Sequence, residues 1–137
     1  MVDAAIVQTR LRKLDEYLQI LAGLRKYSEE EFLGNPERYG SAERFLQLAI
    51  ECVNDIGNHV VADEQLGGVD WKTDIPGRLA EHGFLSEELQ MEWIKMIGFR
   101  NALVHDYADV DRKIVFKVLQ ERLSVFDRLK KVMAQWL

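Results

Sequence analysis

The chain has little cysteine, proline or histidine, and these shortages exclude several kinds of site. Its 137 residues include one cysteine, two prolines and three histidines. The single thiol, Cys52, cannot form an internal disulfide or a thiolate zinc cluster, so we predict that it is a small buried apolar residue. No apolar run approaches the roughly 20 residues that a membrane-spanning helix needs. The N-terminus lacks the basic and apolar regions of a secretory signal. We therefore expect a cytoplasmic protein that does not cross a membrane.

An excess of positive charge is also missing. The formal net charge is −5, which argues against a broad basic surface that would hold nucleic acid by counterion release. Any contact with nucleic acid should therefore be confined to a local site. One local basic cluster exists, made of Lys95, Arg100, Arg112, Lys113 and Lys117. A solvated face of mixed charge is the favoured interpretation of this cluster.

Helical periodicity dominates the chain, whereas the alternation typical of strands is hard to find. With 47% hydrophobic and 30% charged residues, the composition is that of an ordinary folded protein, and the length suits one domain over residues 1–137. We predict an all-α fold, an antiparallel bundle of four main helices plus one or two short helices.

Capping residues and glycines set the predicted helix boundaries. The pattern predicts a first helix over residues 6–24, a single turn after Ser28, and a second helix from Asn35-Pro36 to Gly67-Gly68. A short helix is predicted within 70–83, and a third main helix begins at Ser86. The last helix is capped by Asp109 or Asp111 and runs to the C-terminus. Gly57 and Gly98 fall inside helices, where glycine costs about 1 kcal/mol. Close approach of two helix backbones is the predicted reason.

The segment from Arg100 to Tyr107, Arg-Asn-Ala-Leu-Val-His-Asp-Tyr, combines residues suited to phosphate chemistry. Guanidinium is a planar fork for phosphate, and imidazole exchanges protons near neutral pH. Each residue also has a structural interpretation. Arg100 could pair with a carboxylate such as Asp55, His105 could satisfy carbonyls at a helix end, and Tyr107 could anchor the chain through its ring.

The spacing of these residues limits what one straight helix can do. At about 100° per residue, Tyr107 lies within about 20° of Arg100, whereas His105 lies about 140° away. We therefore expect that the helix ends or distorts near His105, or that another element or a second subunit completes the site. A two-fold dimer brings the same segment of two chains together.

A second polar group is formed by Glu51, Asp55 and His59, spaced four residues apart on one helix face. A diiron bundle requires two Glu-x-x-His elements, which this chain lacks, so we predict no metal site. Two roles for this group remain open. It could line the same cleft as the motif of residues 100–107, with Asp55 orienting an arginine or histidine, or it could form plain ion pairs on the surface. Nucleophile elbows, phosphate loops and dinucleotide fingerprints are absent from the sequence.

The motif resembles that of a known superfamily. Arg100 to Tyr107 matches the Arg-x-x-x-x-His-x-Tyr signature of the HEPN superfamily in its HepT-like toxin branch, and residues 49–59 resemble the other recognisable segment of that branch. The resemblance implies a helical homodimer that acts as a metal-independent ribonuclease toxin without a cofactor. Arg100 and His105 match the catalytic pair, and Asn101 matches its supporting polar residue.

The resemblance also implies a protein partner, a minimal nucleotidyltransferase antitoxin. This partner would silence the toxin by transferring AMP to the tyrosine at the position of Tyr107. Two other functions remain open: a module that binds nucleotide or RNA without cleaving it, and a scaffold subunit of a nucleotidyltransferase complex. In the catalytic interpretation, the substrate is RNA, and His105 moves a proton while Arg100 stabilises phosphoryl charge.

Overall fold

A computed structural model of the protein describes residues 1–105 and 111–137, and the regular secondary structure of these residues is entirely helical. The helices are α1 (Ala4–Leu24), α2 (Glu29–Leu33), α3 (Pro36–Asp63), α4 (Asp74–Glu81), α5 (Glu87–His105), α6 (Arg112–Glu121) and α7 (Leu123–Met133), followed by a 3-10 turn over Ala134–Trp136. The all-α prediction is confirmed. In the described ranges, none of the helices has both the length and the apolar character that a bilayer crossing requires.

Contacts between α1 and α3 show that the two helices run in opposite directions. The Met1 amine donates to the Asp63 carbonyl oxygen at 3.3 Å, near the start of α1 and the end of α3. Further along α1, the Tyr17 ring packs against Phe45, with centroids 5.9 Å apart. Residue numbers therefore rise along α1 while those of its α3 partners fall, as the predicted antiparallel arrangement requires.

The same reversal relates α3 to α5 and α5 to α7. The buried Asn54 accepts a hydrogen bond from the Trp93 indole nitrogen at 2.8 Å, while Glu51, one turn earlier on α3, contacts Arg100 later on α5. Two ion pairs link α5 to the C-terminal region in the same sense, Glu92 with Arg122 and Glu88 with Arg128. Helix α3 is central, because it packs against α1, α2, α4, α5 and α6.

Helix α3 ends earlier than the sequence suggested. Asn35 caps its first turn as predicted, accepting from the backbone of Glu37 at 2.9 Å. The predicted end at Gly67-Gly68 is wrong, because α3 stops at Asp63. Gln65 adopts a left-handed φ of 54°, and the Leu66 amide then donates back to a carbonyl of the last turn at 2.9 Å. This is a Schellman ending, in which a non-glycine residue takes the position that glycine usually occupies.

The predicted last helix is two helices in the structure, with the break at Arg122. On an unbroken helix, Arg122 would lie about 20° from the buried Val115, in the middle of the apolar face. The break instead leaves Arg122 about half exposed and paired with Glu92 on α5. Asp111 was one of the two predicted caps, and it caps α6 by accepting a hydrogen bond from the Lys113 amide. The alternative cap, Asp109, lies outside the described residues.

The two helical glycines differ in their surroundings. A Cβ at Gly57 would lie 2.6 Å from the Ile75 side chain and 2.7 Å from the Trp93 ring. Close approach is therefore the reason for this glycine, although side chains approach it and not a backbone. For Gly98 the prediction is wrong, because a Cβ there would meet nothing within 4 Å and the residue is exposed.

These surroundings predict opposite effects of alanine at the two positions. Gly57→Ala should destabilise the fold by about 1–3 kcal/mol, because overpacking against Ile75 and Trp93 outweighs the gain in helix propensity. Gly98→Ala should stabilise it by up to about 1 kcal/mol. Urea unfolding followed by circular dichroism measures both. A Gly57→Ala protein as stable as Gly98→Ala would contradict the tight packing around Gly57.

Candidate functional site

A cleft of about 450 Å³ lies between α1, α3 and α5, and the segment before α4 contributes to its wall. Most of the residues that line it are polar or charged. The lining residues are Arg10, Lys13, Tyr17, Leu48, Glu51, Cys52, Asn54, Asp55, Lys72, Arg100 and Asn101. Of the residues that the sequence singled out, the cleft therefore collects Arg100, Asn101, Glu51 and Asp55.

The Arg100 guanidinium is held in place by two neighbours. Its Nη2 and Nε donate to the Glu51 carboxylate at 2.8 and 3.3 Å, and its Nη1 donates to the Asn101 side-chain oxygen at 3.3 Å. The suggested pairing of Arg100 with Asp55 is wrong, because Arg100 pairs with Glu51, one turn earlier on α3. Within residues 1–105 and 111–137, these contacts use three of the five N–H donors of the guanidinium, and two remain for a ligand.

The position of Arg100 on α5 explains its partial burial. Arg100 is seven residues after the buried Trp93, so the two lie within about 20° of each other on the core side of α5. Packed against α3, the Arg100 side chain is only 26% exposed. A charge in this setting needs a partner, and Glu51 supplies it.

Glu51 is ionised at neutral pH despite its partial burial. Burial alone would raise the pKa of its carboxyl. Hydrogen bonds from Arg100 and Gln47, together with the charges of Arg100 and Arg44, outweigh burial, so the net pKa of Glu51 is lowered. The ion pair with Arg100 therefore persists over the whole neutral range.

Asp55 supports a different arginine from the one expected. Its carboxylate forms an ion pair with Arg10 of α1, across the same cleft. Asp55 therefore lies beside an arginine, but that arginine comes from the first helix and not from the motif. His59 is not among the residues that line the cleft. Within residues 1–105 and 111–137, no group of three potential metal ligands comes together.

The structure does not bring His105 into the cleft. His105 is the last residue of α5, it is exposed, and it is not part of the cleft lining. This agrees with its angular separation of about 140° from Arg100 on a helix. Tyr107, the third residue of the motif, lies outside the described residues.

Three cations of the cleft were missed by sequence reasoning: Arg10, Lys13 and Lys72. Arg10 and Lys13 lie three residues apart on α1, hence on one helix face, which was a readable signal. Nothing in the sequence pairs that face with Arg100, because 90 positions separate Arg10 from Arg100. Only the packing of both α1 and α5 against α3 brings them together.

The basic cluster around the motif is spread over other surfaces. Lys95 pairs with Glu92 at 3.6 Å, and Arg112 lies 3.9 Å from the Glu43 carboxylate while its guanidinium covers the Tyr39 ring. Of that cluster, only Arg100 lines the cleft. These pairings support the favoured interpretation of a mixed-charge face.

The family of the chain follows from its sequence over nearly its whole length. A family model described as Ribonuclease HepT-like matches residues 7–133, which include every cleft residue as well as Arg100 and His105 of the motif. The chain belongs to the HepT-like family. The resemblance drawn from residues 100–107 is thereby confirmed.

Relatives of this HepT-like chain include nucleases and a toxin in complex with its antitoxin. It is 28% identical over 125 residues to the tRNA nuclease HepT of Aphanizomenon flos-aquae, covering 91% of this chain and 85% of that relative. It is 35% identical over 83 residues to the mRNA nuclease HepT of Shewanella oneidensis, covering 61% and 62%. A solved tri-AMPylated Shewanella oneidensis HEPN toxin in complex with MNT antitoxin superimposes with a TM-score of 0.89 at 26% identity, covering 98% of this chain and 99% of that one.

Cys52 lies at the wall of the cleft in this HepT-like chain. Its thiol donates to the Arg10 carbonyl oxygen at 3.1 Å. Burial, reinforced by the nearby charge of Asp55, raises the pKa of Cys52 to about 11, so the thiol is protonated at neutral pH and a poor nucleophile. The prediction that Cys52 is a small buried apolar residue is confirmed only in part, because Cys52 packs against the core but is partly exposed and lines the cleft.

Proposed function

We propose that this HepT-like chain, as a single domain over residues 1–137, is a metal-independent ribonuclease toxin that acts in the cytoplasm and is neutralised by a nucleotidyltransferase antitoxin. The observation that carries the proposal is the guanidinium of Arg100, fixed by Glu51 and Asn101 at a cation-lined cleft. Nuclease activity of the HepT relatives supports it.

Arg100 is proposed to bind and stabilise the phosphate at which the strand is cut. Charge accumulates on the phosphoryl oxygens as the bond to the attacking oxygen forms, and a donor already held in position stabilises that charge without reorganising. Glu51 and Asn101 keep the guanidinium oriented, and its two remaining N–H donors suit a bidentate contact with phosphate. Arg100 is therefore assigned to charge stabilisation and not to proton transfer.

His105 is proposed to move the proton that the reaction requires. The 2′-oxygen of the RNA attacks the adjacent phosphorus, the bond from phosphorus to the 5′-oxygen breaks, and a 2′,3′-cyclic phosphate and a 5′-hydroxyl result. The 2′-hydroxyl loses its proton to a base, and the leaving 5′-oxygen gains one from an acid. As base or acid, His105 supplies one of these transfers without a metal ion.

A second copy of the chain is proposed to complete the site, because His105 lies outside the cleft of its own chain. An exposed stripe runs along the outer side of α5 through Met91, Gly98, Asn101 and His105, which share one side of the helix. A two-fold contact through this stripe would bring the His105 residues of both copies beside the two Arg100 clefts.

The antitoxin is proposed to act on Tyr107. The tyrosine oxygen attacks the α-phosphorus of ATP, pyrophosphate leaves, and AMP remains attached to the phenol. The added AMP is bulky and anionic, as is the RNA that must bind to the motif. Steric exclusion and charge repulsion would both reduce RNA binding. The AMPylated state of the Shewanella oneidensis toxin supports this route.

Replacement of His105 tests the nuclease directly. In buffer with excess EDTA, the unmodified protein purified without any transferase should cleave total cellular RNA. His105→Ala should be slower by about 10²–10⁴-fold, because a proton-transfer group has been removed. Gel analysis of RNA fragments over time gives the rates.

The matched control for this experiment is His59→Ala, since His59 is a histidine of α3 that does not line the cleft. This variant should cleave RNA at the same rate as the protein without substitutions. If all three proteins leave RNA intact while still binding it, the chain is a binding module. If none of them binds RNA, a scaffold subunit is the remaining function.

A charge at Gly98 tests the proposed dimer. Gly98→Glu introduces a side chain into open space, so the single chain should fold normally, but it would place an unpaired charge in the proposed subunit contact. Light scattering after gel filtration should show a monomer, with cleavage reduced. Gly23→Glu is the control, because Gly23 is also exposed and open on α1. A dimer that survives Gly98→Glu would place the subunit contact elsewhere.

Loss of the phenol tests the modification. With ATP and the partner transferase, the protein should gain one or more adenylyl groups in intact mass and lose its RNase activity. Tyr107→Phe should remain unmodified and active, because the accepting oxygen is absent. Adenylylation of the Phe variant to the same extent would identify another acceptor.

A further inference from the structure

We propose that Arg10 and Lys13, together with Lys72, form a second phosphate-binding subsite in the cleft, which holds a phosphate neighbouring the one bound by Arg100. The inference rests on the proposed function, because it assumes that RNA enters this cleft. It adds to that function a reason for the substrate to be a single strand with several phosphates.

The two carboxylates of α3 set the spacing between the two subsites. Glu51 and Asp55 are four residues apart, so they lie about 6 Å from each other along the helix axis. Glu51 holds Arg100 from α5 on one side, and Asp55 holds Arg10 from α1 on the other. The cleft therefore contains two guanidinium groups whose carboxylate partners lie about one helical turn apart on α3. Successive phosphates along an extended single strand have a comparable separation.

The Arg10 guanidinium keeps its outer edge available for phosphate. Its ion pair with Asp55 uses Nε. Among residues 1–105 and 111–137, its two terminal nitrogens make no hydrogen bond. The side chain is 31% exposed and lines the cleft, so these nitrogens can present the planar fork that phosphate recognition uses.

Two lysines extend this subsite. Lys13 lies on the same face of α1 as Arg10, and its side chain is 60% exposed. Its contact with Glu16, at 3.4 Å and equally exposed, is too weak to compete with a phosphate. Lys72 reaches the cleft from the segment before α4. This segment is fixed because the Asp74 carboxylate accepts hydrogen bonds from the Trp71 and Asp70 amides at 3.0 Å.

The charge of the cleft matches an anion with two phosphates. Among residues 1–105 and 111–137, four cations and two carboxylates line it, a surplus of two positive charges in a chain whose net charge is −5. One phosphodiester would leave half of that surplus unbalanced, whereas two adjacent phosphodiesters neutralise it. The volume of about 450 Å³ also exceeds what a phosphate alone requires and leaves room for a base.

A salt titration of RNA binding tests the subsite. The His105→Ala protein serves as parent, and it is titrated against a fluorescein-labelled single-stranded RNA of about ten nucleotides in increasing KCl. Anisotropy gives the binding constant at each salt concentration. The slope of the logarithm of this constant against the logarithm of the salt concentration, called the salt slope below, reports the number of phosphate contacts.

The informative variant removes both charges of the Arg10–Asp55 ion pair, so the net charge of the protein does not change. In the parent background, Arg10→Gln with Asp55→Asn should weaken binding roughly five-fold or more and reduce the salt slope by about 0.7. Its control, Arg128→Gln with Glu88→Gln, neutralises an ion pair away from the cleft and should change neither quantity. Circular dichroism checks that each protein is folded.

A second variant keeps the test decisive if the double replacement disturbs α1. Lys13→Gln removes a largely exposed charge and should reduce the salt slope by about 0.7. Lys131→Gln, the same change on the exposed surface of α7, should leave the slope unchanged.

The outcomes separate this proposal from the proposed function. If the parent binds RNA and the cleft variants bind with the parent's affinity and slope, the second subsite is overturned while the nuclease assignment stands on the His105 experiment. If the parent binds no RNA at any salt concentration, both proposals fall. Loss of affinity and slope in the cleft variants but not in their controls supports the subsite.

Discussion

The ion pair between Glu51 and Arg100 is the constraint on which the site depends. It joins α3 to α5 and fixes a guanidinium at the edge of the core. The pair is held in register by the packing around it. One turn further along α3, the buried Asn54 accepts the Trp93 indole hydrogen bond, and Gly57 leaves the space that the same ring fills. A change in that packing would therefore move Arg100 without touching it.

Much of the fold was predictable because local chemistry specifies it. Amphipathic periodicity located the main helices, and the side chains of Ser28, Asn35 and Asp111 cap α2, α3 and α6 as predicted. The errors came where local and tertiary preferences compete. Gln65 ends α3 in a conformation that glycine normally adopts, and Arg122 breaks the last helix because a charge cannot remain in the apolar face.

The site was predictable only in part. Arg100 was identified from its motif, and Asn101 from the resemblance of that motif to the HEPN signature, and the structure places both at the cleft. The choice of Glu51 over Asp55 as the partner of Arg100 depends on the register of α3 against α5, which the sequence does not encode locally. Arg10 and Lys72 were missed for the same reason. The roles of His105 and Tyr107, and the single domain over 1–137, stay predictions.

The pairing of both cleft arginines with carboxylates neutralises the two guanidinium charges in the resting site. Any phosphate that binds to the remaining guanidinium donors lies near the negative charge of Glu51 or Asp55, which lowers its affinity. A free phosphate or a mononucleotide meets that repulsion at one subsite and gains little. A polymer brings its next phosphate already tethered to the first. The carboxylates thus act as a filter that keeps abundant small anions from occupying the cleft, at the cost of weaker binding to each individual phosphate.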